Sequence, residues 1–176
     1  MADIFISHIH EEEVVAKALL CLLRKLLGSN RKAFLSSDRW QIHAGEIWLD
    51  RIKEELTSAK VVILLLSPES VKRAWVNFEA GAAWGMDKII IPVCFNGLSK
   101  GNMPHPYSSR QGLDLEHDGY YLVTSLHHHL TPNGGSSSAP LPLLVGDETW
   151  KNLKEALRQL AASPGRTDRP SLSTGG

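Results

Sequence analysis

Residues 61–66 read Val-Val-Ile-Leu-Leu-Leu, six apolar side chains with no polar residue among them. A strand with one face in water alternates polar and apolar positions. This run does not, so both its faces must be covered, which is the place of a central strand in a parallel sheet. Residues 3–7 (Asp-Ile-Phe-Ile-Ser), 32–36 (Lys-Ala-Phe-Leu-Ser) and 88–93 (Lys-Ile-Ile-Ile-Pro-Val) are further strand-like runs. Pro92 lacks an N–H, which predicts a position near a strand end or the sheet edge.

Helical periods separate these runs. Val14, Val15, Ala18, Leu19, Leu22, Leu23, Leu26 and Leu27 recur at helical spacing. Glu11, Glu12 and Glu13 precede them and suit the positive end of a helix, and Gly28-Ser29-Asn30 stops the pattern. Ile47, Ile52, Leu56 and Ala59 stand among charges over 46–59, an amphipathic helix. Ser67-Pro68-Glu69-Ser70 ends the central strand and opens a helix to about Met86. Strands alternating with helices predict an α/β fold of three layers: a central, mostly parallel sheet of about five strands with helices on both faces.

The second half is less patterned. Residues 96–110 predict a loop, 112–115 a short edge strand, and 118–130 a helix carrying Tyr120, Val123, Leu126 and Leu130. A Pro-, Gly- and Ser-rich stretch over 131–142 predicts a flexible connector before a last helix over 147–162. One domain over 1–162 is expected, with a disordered tail at 163–176.

Composition removes several classes of function. With Lys+Arg 19 against Asp+Glu 19 the net charge is zero, so no basic surplus is available for direct nucleic-acid binding. No apolar run approaches the ~20 residues of a membrane span. Residues 1–5 lack a signal-peptide pattern, and the two cysteines, Cys21 and Cys94, lie in apolar segments. Both features predict a cytoplasmic protein with reduced, inert core thiols.

Chemistry on an open parallel sheet belongs in the crevice beyond the carboxyl ends of its strands. That rule selects Ser7-His8-Ile9-His10, residues 36–45, residues 67–70 and the loop after Val93. The helix after the central strand adds a second set. Within residues 74–85 the only acid is Glu79, and Trp75, four positions earlier, shares its helix face. A carboxylate pressed among apolar groups ionises with difficulty, which makes it a candidate catalytic group; a solvated carboxylate at the helix edge is the plainer alternative.

Other patterns carry less. His127-His128-His129 point to different sides of a helix and predict a solvated helix end rather than a metal site. His8, His10 and His43 lie in crevice segments without ligands at metal spacing, and His8 could line a pocket or lie at the surface. Ser7, Ser36 and Ser67 sit in no Gly-x-Ser-x-Gly elbow, and no Gly-x-Gly-x-x-Gly follows the first strand. Triad hydrolysis and dehydrogenase-style dinucleotide binding are thus unsupported.

Taken in order, Asp-Ile-Phe-Ile-Ser-His, Phe34-Leu35-Ser36-Ser37-Asp38 with Ile42 and Gly45, Val-Val-Ile-Leu-Leu-Leu-Ser-Pro-Glu-Ser, Trp75-Val76-Asn77-Phe78-Glu79 and Ile-Ile-Ile-Pro-Val resemble a Toll/interleukin-1 receptor (TIR) domain of the bacterial kind. The resemblance covers about residues 1–95 and thins beyond. It implies a flavodoxin-like fold and an enzyme that cleaves NAD+ at the nicotinamide–ribose bond, releasing nicotinamide and ADP-ribose or a cyclic isomer. It further implies Glu79 as the catalytic residue. Ser7, His8, Asp38, Trp40, Gly45, Ser67 and Trp75 would bind substrate. NAD+ would be substrate, with no cofactor and no metal. Residues 38–46, which carry Trp40 near their start and have Trp48 just after them, resemble the family's gating loop, through which self-association is expected. A setting in antiphage defence signalling fits such a domain. Two other readings stand beside this one: a non-catalytic interaction module working through the 38–46 loop, and a nucleoside deoxyribosyltransferase-like enzyme using the same glutamate.

Overall fold

The computed structural model describes residues 1–28, 31–36, 48–131 and 148–162. Asp38, Trp40, His43, Gly45 and the whole 38–46 loop lie outside the described residues, as do 132–142 of the expected connector and the 163–176 tail.

Five strands form one sheet: β1 (Ile4–Ser7), β2 (Ala33–Leu35), β3 (Val61–Leu66), β4 (Ile89–Cys94) and β5 (Leu113–Asp114). Their order is β2-β1-β3-β4-β5, and every pairing is parallel. Among the described residues the helices are α1 (Glu13–Leu27), α2 (Trp48–Ser58), α3 (Ala74–Gly85), α4 (Gly119–Leu130) and α5 (Glu148–Ala162). The fold is the flavodoxin-like α/β arrangement that the resemblance implies, with the three layers and parallel sheet that the alternation of periods predicts. All six side chains of β3 are fully buried. Alternate residues of that strand feed two separate cores. Val61, Ile63 and Leu65 join Ile4, Ile6 and Leu35 beneath α1, α4 and α5. Val62, Leu64 and Leu66 join Phe5 and Phe34 beneath α2 and α3. A cavity at Leu64 would cost roughly 2–5 kcal/mol, the usual range for Leu→Ala in a close-packed interior.

The order places β1 between β2 and β3, so the connection direction reverses beside β1. Such a reversal opens a crevice at the carboxyl ends of the strands. Ser7, the last residue of β1, pairs in register with Leu64 of β3 and stands at that end.

Local chemistry sets the element ends. Gly28 closes α1 with φ 83, a left-handed conformation that costs glycine little. The Ser67–Ser70 segment does not lead straight into a helix. A 3-10 turn, Ser70–Lys72, comes first, Arg73 is extended, and α3 starts at Ala74. Pro92 lies inside β4, yet β5 pairs with that strand only at Val93 and Cys94. The residue without a donor therefore precedes the second ladder, as its chemistry requires. On α5, Trp150 seats its ring over Gly119 of α4, where a β-carbon would overlap it.

One expectation needs correction. Cys94 is buried, but Cys21 is exposed. On α1 the inward positions are Val15, Ala16, Leu19, Leu20, Leu22 and Leu23. Cys21 follows Lys17 by four and precedes Arg24 by three, so helical phase turns it to the charged solvent face. No described helix is long and apolar enough to cross a membrane.

Candidate active site

The face that α3 turns to the sheet is made of Val76, Glu79, Ala80 and Ala83, all buried. Small side chains at 80 and 83 bring the helix close to the strands, and the same phase carries Glu79 inward. Its carboxyl is completely shielded from solvent. It meets three donors from three elements. Ser7 Oγ at the tip of β1 donates to Oε2 at 2.5 Å. Trp75 Nε1, one turn earlier on α3, donates to Oε1 at 2.8 Å. The Ser36 hydroxyl, just past β2, also hydrogen-bonds the carboxyl.

Burial pushes the Glu79 carboxyl up to about 7, with the bonds from Ser7, Trp75 and Ser36 pulling the other way. Desolvation disfavours the charged form, whereas donors to it favour it; here desolvation wins. At neutral pH the group is therefore divided between acid and carboxylate. Because it is wholly covered, a ligand reaches it only when a covering group moves.

His8, beside Ser7, is buried rather than at the surface. Its backbone N–H donates to Ser36 Oγ at 3.3 Å, and its Nδ1 lies 3.3 Å from the Ile6 carbonyl oxygen. Burial lowers its pKa to about 4, so the imidazole is neutral at physiological pH. Ser7, His8, Ser36, Trp75 and Glu79 thus form one cluster.

Ser67 has a different set of partners. Its Oγ accepts from the backbone N–H groups of Glu69 and Ser70, at 3.2 and 3.0 Å. Ser70 Oγ in turn accepts from Ser67 N at 2.8 Å and donates to the Leu65 carbonyl at 3.1 Å. The Ser67 hydroxyl also hydrogen-bonds Glu12, a second buried carboxyl. Among the described residues Oε2 of Glu12 has no hydrogen-bond partner, and burial lifts the carboxyl to about 7. Ser67 and Glu12 therefore tie the turn after β3 to the turn after β1.

Of the residues marked by sequence, the structure brings Ser7, His8, Trp75 and Glu79 together and holds Ser67 in the neighbouring turn. Sequence reasoning did not single out Ser36 as a ligand of the carboxyl, although its place right after a strand marks it. It also passed over Glu12, hidden in a run of three glutamates. Among the described residues no group of three or more His, Cys, Asp or Glu is placed to hold a metal ion. His127 to His129 sit at the end of α4, with His128 and His129 exposed.

Residues 4–131 match the family model described as TIR domain, well over half of the chain. The chain belongs to the TIR-domain family. Among solved structures, this TIR domain is similar to that of the Toll-related receptor TRR-2 from Hydra magnipapillata. Identity is 18% and the TM-score 0.54, over 70% of this chain and 91% of that one. A metazoan TIR-STING receptor from C. gigas is 19% identical with a TM-score of 0.45, over 72% of this chain and 47% of that one. The TIR domains of the activated Roq1 resistosome, which directly recognizes the pathogen effector XopQ, are 15% identical with a TM-score of 0.45, over 94% and 86%. Among curated proteins, none matches this TIR domain by sequence.

Proposed function

We propose that this TIR domain is an NAD+ glycohydrolase with Glu79 as its catalytic residue. The observation that carries the reading is a wholly buried glutamate at the carboxyl ends of β1 and β2, held by donors from three separate elements. A side chain positioned so firmly in a place that disfavours its charge is a mark of a working site.

The chemistry needs little more. The bond between the pyridinium nitrogen and the ribose anomeric carbon breaks, and its electron pair neutralises the nicotinamide nitrogen. Nicotinamide is thus a good leaving group without an acid. Positive charge develops on the ribose as an oxocarbenium-like state, and an ionised carboxylate beside it stabilises that charge or traps it covalently. Water then adds to the anomeric carbon and loses a proton, giving ADP-ribose. Attack by a nucleophile within the same molecule gives a cyclic isomer instead. Ser7 and Ser36 hold the carboxylate in place, and Trp75 supplies both a donor and an aromatic surface.

The setting proposed with this activity is cytoplasmic antiphage signalling of a bacterial type. Self-association through residues 38–46 would complete the pocket. NAD+ would be a substrate, with no metal or further cofactor. The test is release of nicotinamide from NAD+ by the purified chain and by Glu79→Gln. Release that Gln abolishes supports the reading; equal release by both overturns it. The complete cover over Glu79 favours a second reading, a non-catalytic interaction module. No release at any protein concentration would select that one.

A further inference from the structure

Phe78 lies outside the cluster around Glu79 and is half exposed, an unusual place for a large aromatic side chain on a helix. It is not isolated. Its ring stacks on the Trp75 indole with centroids 5.2 Å apart and planes inclined by 29°. The same indole donates through Nε1 to Glu79 Oε1 at 2.8 Å. The three residues occupy one side of α3 at spacings of three and four, where helical side chains meet. Phe78 therefore touches the indole, and the indole touches the carboxyl.

We propose that Phe78 is a positioning residue: its ring clamps the Trp75 indole so that the indole N–H stays aimed at the Glu79 carboxylate. An indole on a helix surface turns about two side-chain bonds, and a stacked neighbour removes much of that freedom. Without the clamp the indole spends less time on Glu79, and the carboxylate loses part of one of its donors. A carboxylate that loses a donor ionises at higher pH. The other groups facing Glu79 do not substitute for the indole. From β1 comes the Ser7 hydroxyl, already bonded to Oε2. From the segment after β2 comes Ser36. His8, the titratable residue of this cluster besides Glu79, is neutral above about pH 4 and has no charge to offer. Among the described residues no charged neighbour contributes to the Glu79 pKa.

The catalytic meaning of the clamp rests on the glycohydrolase reading, but the clamp itself does not. It is tested on the full chain, labelled with 15N, by following the indole N–H resonances from about pH 5 to 9. Trp75→Phe assigns the Trp75 peak by removing it. In the wild type that peak is expected to shift with an inflection near 7 as Glu79 ionises. Phe78→Ala should move the inflection up by about one pH unit, and Phe78→Tyr, which keeps the stack, should return it. In parallel, nicotinamide release by Phe78→Ala should fall ~5-fold at pH 7 and recover in alkali. An inflection that stays in place in Phe78→Ala overturns the proposal. If the wild type releases no nicotinamide, the glycohydrolase reading falls, while the resonance still decides the role of Phe78.

Discussion

The Ser7 hydroxyl donates a 2.5 Å hydrogen bond to Oε2 of Glu79, joining the tip of β1 to the middle of α3 across 72 residues of chain. Neither partner sees water. Ser7 is thus fixed by the sheet and Glu79 by the helix packed on it, and the bond records how the two layers dock. Replacing Ser7 with Ala removes a donor to the charged form and leaves burial unchanged. The Glu79 carboxyl should then ionise about one pH unit higher. On the proposed activity, the acid limb of the pH–rate profile moves up by that amount, with the alkaline plateau kept. A profile scaled down equally at every pH would show that Ser7 acts on something other than this ionisation.

Glu79→Gln keeps size, exchanges one acceptor oxygen for an amide donor that the Ser7 hydroxyl can accept, and can never carry charge. If the carboxylate stabilises the ribosyl cation, nicotinamide release should drop on the order of 10³-fold. Circular dichroism and thermal unfolding should show an intact fold, because the buried site already penalises the charge. The comparison is made at pH 8, where the wild-type group is mostly ionised, its pKa being about 7.

Stability should depend on pH through two groups. Glu12 and Glu79 both titrate near 7 in the folded chain against an ordinary value of 4.5. The folded state therefore binds these protons more tightly than the unfolded one. Their favourable contribution is full below about 4.5 and is lost as pH rises through about 7. Neutral replacements escape that loss. Glu12→Gln and Glu79→Gln should each gain stability relative to wild type between pH 5 and pH 8, by about 2.5 kcal/mol at most, read from urea unfolding at the two pH values. A difference that stays constant with pH would place these carboxyls near their ordinary values.

How much of this was legible in the sequence varies with the range of the forces involved. β3 was legible because an unbroken apolar run tolerates only one environment. The inward turn of Glu79 was also legible in principle. Residues 76, 79, 80 and 83 have helical spacing, and counting Glu79 among its apolar companions rather than among the acids predicts burial. The donors from Ser7 and Ser36 were not legible as partners. Each is marked only as a serine after a strand, and the meeting depends on the strand order. Glu12 was masked by its neighbours. Glu11, Glu12 and Glu13 are chemically alike, and the 3-10 turn at His10–Glu12 alone decides which of them is buried. For Cys21 the apolar content of α1 misled, whereas its helical phase is decisive.

That correction can be tested with a thiol reagent. Cys21 is exposed on α1, whereas Cys94 is buried with its thiol pushed up to about 12 by burial and the nearby Asp114. The reactive species is the thiolate. At pH 8 the folded chain should label one cysteine quickly and the second only on unfolding, and Cys21→Ser should abolish the fast phase. Two fast phases would mean that the end of β4 opens readily.

The start of α3 depends on a side-chain stitch rather than on an N-cap. Arg73 makes no side-chain cap bond, and its place is taken by Asn77. Asn77 Nδ2 donates to the carbonyls of Val71 and Arg73, at 3.1 and 3.0 Å. Its Oδ1 accepts from Tyr107 Oη at 2.7 Å, so the loop after β4 holds the amide in place. Tyr107 is buried, and burial raises its pKa, so the hydroxyl remains a donor at physiological pH. Tyr107→Phe deletes that one donor while keeping the ring in the core. A loss of roughly 1 kcal/mol is expected, the usual net worth of such a bond. Asn77→Ala should cost more, since it also takes the side-chain donor from the Val71 carbonyl, while the Arg73 carbonyl keeps the backbone N–H of residue 77. Because this stitch sets where α3 begins, it also sets the height of Trp75 and Glu79 above the strand tips. Asn77→Ala is therefore expected to lower nicotinamide release beyond what its stability loss explains, measured well below its unfolding temperature. Equal turnover in the folded variant would confine the stitch to stability alone.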